Sequence, residues 1–273
     1  MIRRIKNPIG IVQGRLSISE NKKLQNFPDK LWKKEFKIAA DMNLRFIEFI
    51  SEIDHNENNP IWHEKGIFKI KKLVKENNLE TYSGCIDYVI KNNLLNKNTY
   101  MYVLNFIKNM SLIGCHKIIL PLMGVSMIKN ENFDDYSLII RDLQTEASKH
   151  NIQIFVETLL DANQLEEFLK KINKNVKCVF DTGNIVNKVE SLYSEICVLG
   201  DCIGHVNLKD KFQNNKSCLL GQGKVDFVEV FRALKNINYK NAFVIETPRG
   251  NNPIETCIYN LNFIDYMYSQ ANA

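Results

Sequence analysis

The sequence contains no apolar stretch long enough to span a bilayer, and its basic first residues, 1–6, lack the apolar run of a signal peptide. These absences argue against a membrane-spanning or secreted protein. We therefore expect a cytoplasmic protein with no membrane partner.

The sequence also lacks a CxxC pair, although it contains seven cysteines. The cysteines are scattered, and several lie inside apolar runs or helical patterns, such as Cys85, Cys178 and Cys257. Small apolar side chains pack at such positions. We expect reduced, buried thiols rather than disulfides or a cysteine metal site.

Linkers, short repeats and low-complexity tracts are absent as well, so residues 1–273 are predicted to form one domain. The composition, with 45% hydrophobic and 25% charged residues, is that of an ordinary soluble enzyme. The net charge of +5 is spread along helical patterns in which lysines alternate with acids. Solvated helix faces explain this charge, and a nucleic-acid partner is not indicated.

Short apolar runs, rich in β-branched or aromatic residues, alternate with segments whose apolar residues recur every three or four positions. The first pattern is typical of strands buried on both faces, and the second predicts helices. The predicted strands are residues 8–13, 44–50, 79–85, 117–122, 152–157, 176–181, 203–208 and 242–246. The predicted helices include residues 30–42, 62–77, 99–113, 136–150, 163–172, 188–199 and 227–236. Eight such strand and helix units predict an α/β fold, a single (β/α)8 TIM barrel.

Four apolar runs of the second half carry a polar residue at their ends, namely Glu157, Asp181, His205 and Glu246. Because parallel strands share a carboxyl edge, we expect these four side chains to lie together. A single carboxylate there often caps a helix and a lone histidine often packs, but four in this order favour a metal site. Carboxylates with one imidazole suit one divalent ion, such as Mn²⁺, Mg²⁺, Co²⁺ or Zn²⁺.

Such an ion would bind the oxygens of a hydroxy-carbonyl compound and stabilise the enediolate formed when a carbon-bound proton leaves. The two glutamates, Glu157 and Glu246, would then act from opposite sides of the substrate. One glutamate removes a proton and the other returns it.

These residues lie in motifs that resemble the xylose-isomerase-like TIM barrels of the sugar phosphate isomerase and epimerase group. The resemblance covers nearly the whole chain and is strongest from Glu157 onward, through residues 181–184 (DTGN), 205–210 (HVNLKD), 220–227 (LGQGKVDF) and 246–249 (ETPR). It implies that Glu157, Asp181, His205 and Glu246 bind one divalent metal ion. It further implies that the two glutamates exchange protons in 1,2-isomerisation or C3 epimerisation of ketoses.

One position departs from the resemblance, because many epimerases of this family have histidine where this chain has Asn184. An amide can hydrogen-bond a hydroxyl group but cannot carry a proton. We expect Asn184 to contact the substrate.

Five further residues near predicted strand ends are candidates for substrate binding, namely Gln13, Arg15, Glu48, Lys209 and Arg249. The two arginines could bind a phosphate or carboxylate, or could form surface ion pairs. Glu48 could equally belong to a polar layer inside the barrel. Lys209 is favoured because its run matches the pattern of the family.

Two other functions remain open for a chain of this family. One is a metal-dependent lyase or dehydratase acting on a keto-inositol or dehydroshikimate, since such enzymes begin with the same proton abstraction. The other is a non-catalytic barrel that binds a metal or a sugar, although two opposed glutamates argue against it. The endonucleases of this barrel type bind three zinc ions through additional histidines. Those additional histidines are missing from this chain.

The expected partner is a small sugar or polyol, and a homodimer is possible. Aromatic residues of the last helix would either form its interface or pack on the barrel; they are Tyr259, Phe263, Tyr266 and Tyr268.

Overall fold

Eight parallel strands close into a barrel in a computed structural model, which describes residues 5–19, 24–172 and 175–271. The barrel strands are β1 (Ile9–Val12), β2 (Phe46–Ser51), β3 (Ser83–Ile86), β4 (Lys117–Pro121), β5 (Gln153–Glu157), β6 (Lys177–Asp181) and β7 (Ile203–Leu208), followed after the hairpin β8 (Asp210–Lys211) and β9 (Ser217–Cys218) by β10 (Phe243–Ile245). Around the barrel the order is β1-β10-β7-β6-β5-β4-β3-β2. The predicted (β/α)8 TIM barrel is confirmed.

Helices surround the barrel and connect successive strands. They are α1 (Trp32–Asp41), α2 (Glu64–Glu76), α3 (Tyr88–Lys91), α4 (Lys97–Ile113), α5 (Phe133–Ser148), α6 (Ala162–Ile172), α7 (Thr182–Ile185), α8 (Leu192–Leu199), α9 (Phe227–Asn236) and α10 (Pro253–Ala271). Single 3-10 turns occur at Pro60–Trp62, Gly124–Ser126, Asn130–Asn132 and Gly200–Cys202. None of the helices in the described ranges is both long and apolar enough to cross a membrane.

The strands read as continuous apolar runs because both of their faces are covered. All six residues of β2, for example, are buried. The main core lies between the barrel and its helices, whereas a separate cluster of Cys85, Ile119, Phe155 and Val179 forms another apolar core. The seven cysteines are free thiols, and most of them are buried.

The observed bounds differ from the predicted ones where a side chain or a turn decides the end of an element. Helix α8 begins at Leu192 instead of residue 188, because Ser191 Oγ caps it by accepting from Ser194 N at 3.2 Å. Strand β3 begins at Ser83 instead of residue 79, since Glu80 makes only an isolated bridge.

Helix α7 was not predicted, and it begins directly after a candidate site residue. Asp181 Oδ1 accepts from the backbone N–H groups of Gly183 and Asn184, each at 2.9 Å. This is N-cap geometry, in which a carboxylate satisfies the first free N–H groups of a helix. Asp181 therefore has one oxygen committed to the fold and one directed elsewhere.

Candidate active site

Three carboxylates meet at the carboxyl-terminal mouth of the barrel. Glu157 and Asp181 are the last residues of β5 and β6, and Glu246 directly follows β10. Glu157 and Asp181 are buried, and the Glu246 side chain is 13% exposed. Burial, together with the charges of Asp181 and Glu246, raises the pKa of Glu157 well above its usual range. Three acidic groups are thus concentrated where little water reaches.

The ammonium group of Lys209 lies between two of these carboxylates. Its Nζ is 2.6 Å from Glu246 Oε1 and 3.3 Å from Asp181 Oδ2. Burial by itself lowers the pKa of Lys209, but the attraction of all three carboxylates outweighs burial and raises that pKa. Burial likewise tends to raise the pKa of Glu246, yet Lys209 and Arg15 hold it below its usual value. Lys209 is the positive centre of the site.

His205 is not brought together with the three carboxylates. The strand register pairs Asp181 with Asn207 and Val179 with His205, so the histidine lies further from the mouth. Its side chain is fully buried. Nε2 is 3.3 Å from Glu48 Oε2, but the two atoms are not aligned for a hydrogen bond. The expectation that His205 belongs to the group at the mouth is therefore corrected. His205 lies two residues before Asn207, the strand partner of Asp181, and so it lies deeper inside the barrel.

Glu48 and His205 form a buried polar pair inside the barrel. Burial raises the pKa of Glu48 to about 8, even though Ser83 Oγ donates a hydrogen bond to it at 2.7 Å. Burial and the nearby Lys117 lower the pKa of His205 to about 3. Near pH 7 both groups are mainly neutral. Glu48 therefore fits the alternative interpretation, a polar layer inside the barrel.

Asn184 links Glu157 to a second lysine. Its Nδ2 donates to Glu157 Oε1 at 2.7 Å, and its Oδ1 accepts from Lys211 Nζ at 2.8 Å. Lys211 lies in β8 and is half-buried. The amide thus orients one carboxylate of the mouth, a contact that the sequence did not reveal.

Asn207 performs the corresponding task for the other glutamate. Its Nδ2 donates to Glu246 Oε2 at 2.9 Å. The signal for this residue was present in the sequence, since His205, Asn207 and Lys209 alternate along one strand and its extension. A period of two places all three on the same side of the sheet, with Lys209 nearest the mouth.

The glycine-containing loop after the hairpin is held by a buried carboxylate. Asp210 Oδ2 accepts from Gly221 N and Gly223 N at 3.0 and 2.8 Å, and Oδ1 accepts from Val225 N at 3.1 Å. A Cβ atom added to Gly223 would lie 2.2 Å from Asp210 Oδ1. The glycine is required because the backbone must approach the carboxylate closely.

Both candidate arginines lie near the mouth, but their described contacts are with the loop after β1. Arg15 is buried and donates to Leu24 O and, at 2.5 Å, to Gln25 Oε1. Burial lowers its pKa to about 10 despite the attraction of Glu246. Arg249 Nε donates to Gly14 O.

Glu35 of α1, which was not a candidate, anchors the turn that follows β1. Its carboxylate accepts from Gly14 N at 2.9 Å, from Leu16 N at 3.1 Å and from Ser17 Oγ at 2.8 Å. The turn places Arg15 close enough to Glu246 to affect its pKa. Glu35 is thus an indirect organiser of the mouth.

Gln13 and Asp87 complete the polar surroundings of the site. Gln13 is buried, and its Oε1 accepts from Ile50 N at 3.5 Å. Asp87, which follows β3, was missed because it lies in a predicted loop. Burial and the charge of Glu246 raise its pKa to about 6.

The residues at the mouth do not fit a divalent metal ion. Within residues 5–19, 24–172 and 175–271, no group of three or more His, Cys, Asp or Glu side chains could hold an ion. His205 lies below the mouth, and Lys209 places its own charge beside Asp181 and Glu246. The cofactor predicted from sequence therefore disagrees with the observed arrangement.

The sequence profile of the xylose isomerase-like TIM barrel family matches residues 36–266. The chain belongs to this family. No curated protein matches the chain.

Solved structures share the whole barrel with this chain at low sequence identity. A D-psicose 3-epimerase with D-tagatose, from Clostridium cellulolyticum H10, is 17% identical with a TM-score of 0.74, covering 96% of this chain and 99% of its own. An L-ribulose 3-epimerase is 16% identical with a TM-score of 0.79, covering 97% and 96%. A xylose isomerase-like barrel from Mycobacterium smegmatis, in complex with magnesium, is 13% identical with a TM-score of 0.72, covering 99% and 100%. At these identities the likeness shows the shared fold.

Proposed function

We propose that the protein is an isomerase or epimerase of a ketose, a sugar phosphate or a related polyol. It would move a proton on and off the carbon next to a carbonyl group. The observation that carries this proposal is the pair of glutamates at one mouth, Glu157 at the end of β5 and Glu246 directly after β10, with Lys209 beside them. Strands β6 and β7 separate β5 from β10, so the two carboxyl groups approach a common substrate from different directions.

The two glutamates have environments suited to opposite roles. Glu246 is the base, because Lys209 and Arg15 keep it ionised against the effect of burial. Glu157 is the acid, because burial and the neighbouring carboxylates favour its protonated form. Paired groups whose pKa values are driven apart are a common arrangement for acid-base catalysis. Asn207 and Asn184 orient the base and the acid through their amide N–H groups.

Names of structurally similar proteins support the reaction class. They include 3-epimerases of D-psicose and L-ribulose and a 3-keto-D-glucoside 4-epimerase. Each of these proteins is named as an epimerase that acts at one numbered carbon of a sugar. Direct substrate contacts by Gln13, Arg15, Asn184 and Arg249 remain predictions.

The proposal is tested by proton exchange between ketoses and solvent deuterium, followed by NMR. We expect the wild type to exchange a carbon-bound proton of at least one ketose or ketose phosphate and to yield its isomer or epimer. Glu246→Gln and Glu157→Gln should each lower the rate by about 10²–10⁴-fold, the range typical of losing an acid-base group. Glu167→Gln, at an exposed position of α6, is the matched control.

Two outcomes would contradict the proposal. Loss of water with formation of an unsaturated, ultraviolet-absorbing product would assign the lyase alternative. Binding of sugars without any exchange would instead assign a non-catalytic barrel.

A further inference from the structure

The centre of the mouth contains a charged side chain of the protein itself. We propose that the ammonium group of Lys209 takes the place of a divalent metal ion, so that the site works without metal and Lys209 Nζ binds the carbonyl oxygen of the substrate. This inference rests on the proposed function for its catalytic part. Its structural part, the exclusion of a metal ion by Lys209, stands on the geometry of the mouth.

Lys209 and a metal ion would compete for the same oxygen atoms. Nζ lies 2.6 Å from Glu246 Oε1 and 3.3 Å from Asp181 Oδ2. A divalent transition ion binds carboxylate oxygens at about 2.0–2.2 Å, so an ion bound to this pair would come into contact with the ammonium group. Two cations at such a distance repel strongly in a buried site.

Three of the four remaining carboxylate oxygens also accept hydrogen bonds from donors of the chain. Asp181 Oδ1 accepts from two backbone N–H groups of α7, and Glu246 Oε2 accepts from Asn207 Nδ2 at 2.9 Å. Glu157 Oε1 accepts from Asn184 Nδ2 at 2.7 Å. Five of the six oxygens of the three carboxylates therefore face an N–H group. Donors, rather than a metal ion, neutralise this cluster.

The surrounding backbone is shaped to hold Lys209. Its N–H donates to Thr182 Oγ1 at 3.0 Å, and the Thr182 hydroxyl donates to its carbonyl at 2.6 Å. A Cβ atom added to Gly183 would lie 2.9 Å from Lys209 Cγ. The glycine leaves the space through which the lysine stem runs. The position of the ammonium group is thus fixed by its neighbours on β6 and α7.

An ammonium group carries three N–H donors. Two of them serve Asp181 and Glu246, which leaves one for a substrate oxygen. When the C–H bond breaks, the proton moves to Glu246 and the electron pair moves to the carbonyl oxygen, giving an enediolate held by Lys209. Glu157 then gives its proton to carbon, and the carbonyl group forms again. A positioned cation at the developing oxyanion performs the stabilisation that this step requires.

The test measures metal binding before it measures turnover. The wild type, purified without chelator, should contain well under about 0.3 equivalents of Mn, Co, Zn or Mg by elemental analysis, and Mn²⁺ titration should give no site in the micromolar range. A double variant, Lys209→Ala with Asn207→His, removes the ammonium and adds an imidazole beside Glu246. We expect it to bind Mn²⁺ at least about tenfold more tightly than the wild type, equal to about 1.4 kcal/mol. Lys216→Ala, an exposed lysine of the hairpin, is the control.

Turnover provides the second readout. Chelator should leave the proton exchange of the wild type unchanged, and Lys209→Met should lower kcat by about 10²–10³-fold, the cost of one oxyanion donor. One equivalent of tightly bound metal in the wild type, with exchange lost on chelation, would overturn the inference while leaving the isomerase function intact. Absence of exchange with every sugar would instead count against the proposed function, and the metal titration would still decide the role of Lys209. If the variants do not fold, the two wild-type measurements decide alone.

Discussion

Glu48 keeps an acidic group in a part of the barrel that water does not reach. Burial raises its pKa to about 8, so the folded protein holds a proton that the unfolded chain releases near the ordinary pKa of 4.5. A group whose folded pKa is raised stabilises the fold fully below the unfolded pKa, and this contribution is lost as pH rises toward the folded pKa. The window of this effect therefore runs from about pH 4.5 to about pH 8.

We expect Glu48→Gln to remove that dependence, because glutamine resembles the protonated acid at every pH. The free energy of unfolding of the variant minus that of the wild type should increase by roughly 2–4 kcal/mol as the pH rises from about 5 to about 8. Urea unfolding at both pH values measures the difference, with Glu167→Gln as a control at an exposed site. A constant difference between variant and wild type across this range would show that Glu48 is ionised in the fold.

The sequence predicted several side chains of the candidate site and the strands that carry them. It did not predict how far along its strand each side chain lies from the mouth of the barrel. Glu157, Asp181 and Glu246 were found because each ends an apolar run. His205 was placed with them because it is the polar residue of a fourth apolar run and because the family resemblance implied a histidine ligand there. A register shift between Cys178 and Val179 sets its true height relative to β6. Such a shift depends on packing between strands, which one sequence does not display.

At the scale of elements, the loop after the hairpin shows how a short segment is held in one conformation. Gly223→Ala would place a Cβ atom 2.2 Å from Asp210 Oδ1 and 2.5 Å from Lys211 O. Neither neighbour can retreat without losing hydrogen bonds, since Asp210 holds three backbone N–H groups of the loop. We expect a loss of roughly 2 kcal/mol or more in the free energy of unfolding.

Urea unfolding of Gly223→Ala and of Gln222→Ala, an exposed neighbour in the same loop, checks this expectation. Hydrogen exchange should speed up at residues 219–225 in the glycine variant alone. Equal stability of the two variants would mean that the loop can move away from Asp210 at little cost.

Regular elements were predicted better than the contacts of the loops. Periodicity located the eight barrel strands, and helix α9 has the predicted bounds, residues 227–236. The anchoring of the first loop by Glu35 and of the glycine loop by Asp210 involves side chains that meet only after the barrel forms. Such contacts leave no periodic pattern in the local sequence, so they could not be predicted from it.

At the scale of the molecule, the barrel joins the two ends of the chain. Strand β1 pairs with β2 on one side and with β10 on the other, and one continuous core underlies the surrounding helices. Two aromatic residues of α10 pack inward, since Phe263 contacts Phe227 and Tyr268 contacts Phe231. Tyr266 is 59% exposed. Only part of the aromatic set predicted as a possible homodimer interface therefore lies on the surface.

Closure predicts that the two halves of the chain unfold together, because each half supplies strand partners that the other needs. Both tryptophans, Trp32 and Trp62, lie in the first half, and far-ultraviolet circular dichroism reports on the whole chain. We expect the two signals to give the same thermal midpoint, as coincident probes do in a cooperative transition. Phe263→Trp, made in a chain with both natural tryptophans replaced by phenylalanine, adds a reporter in the second half and should melt at that midpoint too. Midpoints that differ by more than about 5 °C, a shift equivalent to more than 1 kcal/mol at this chain length, would show two independently unfolding units and contradict the single domain predicted for residues 1–273.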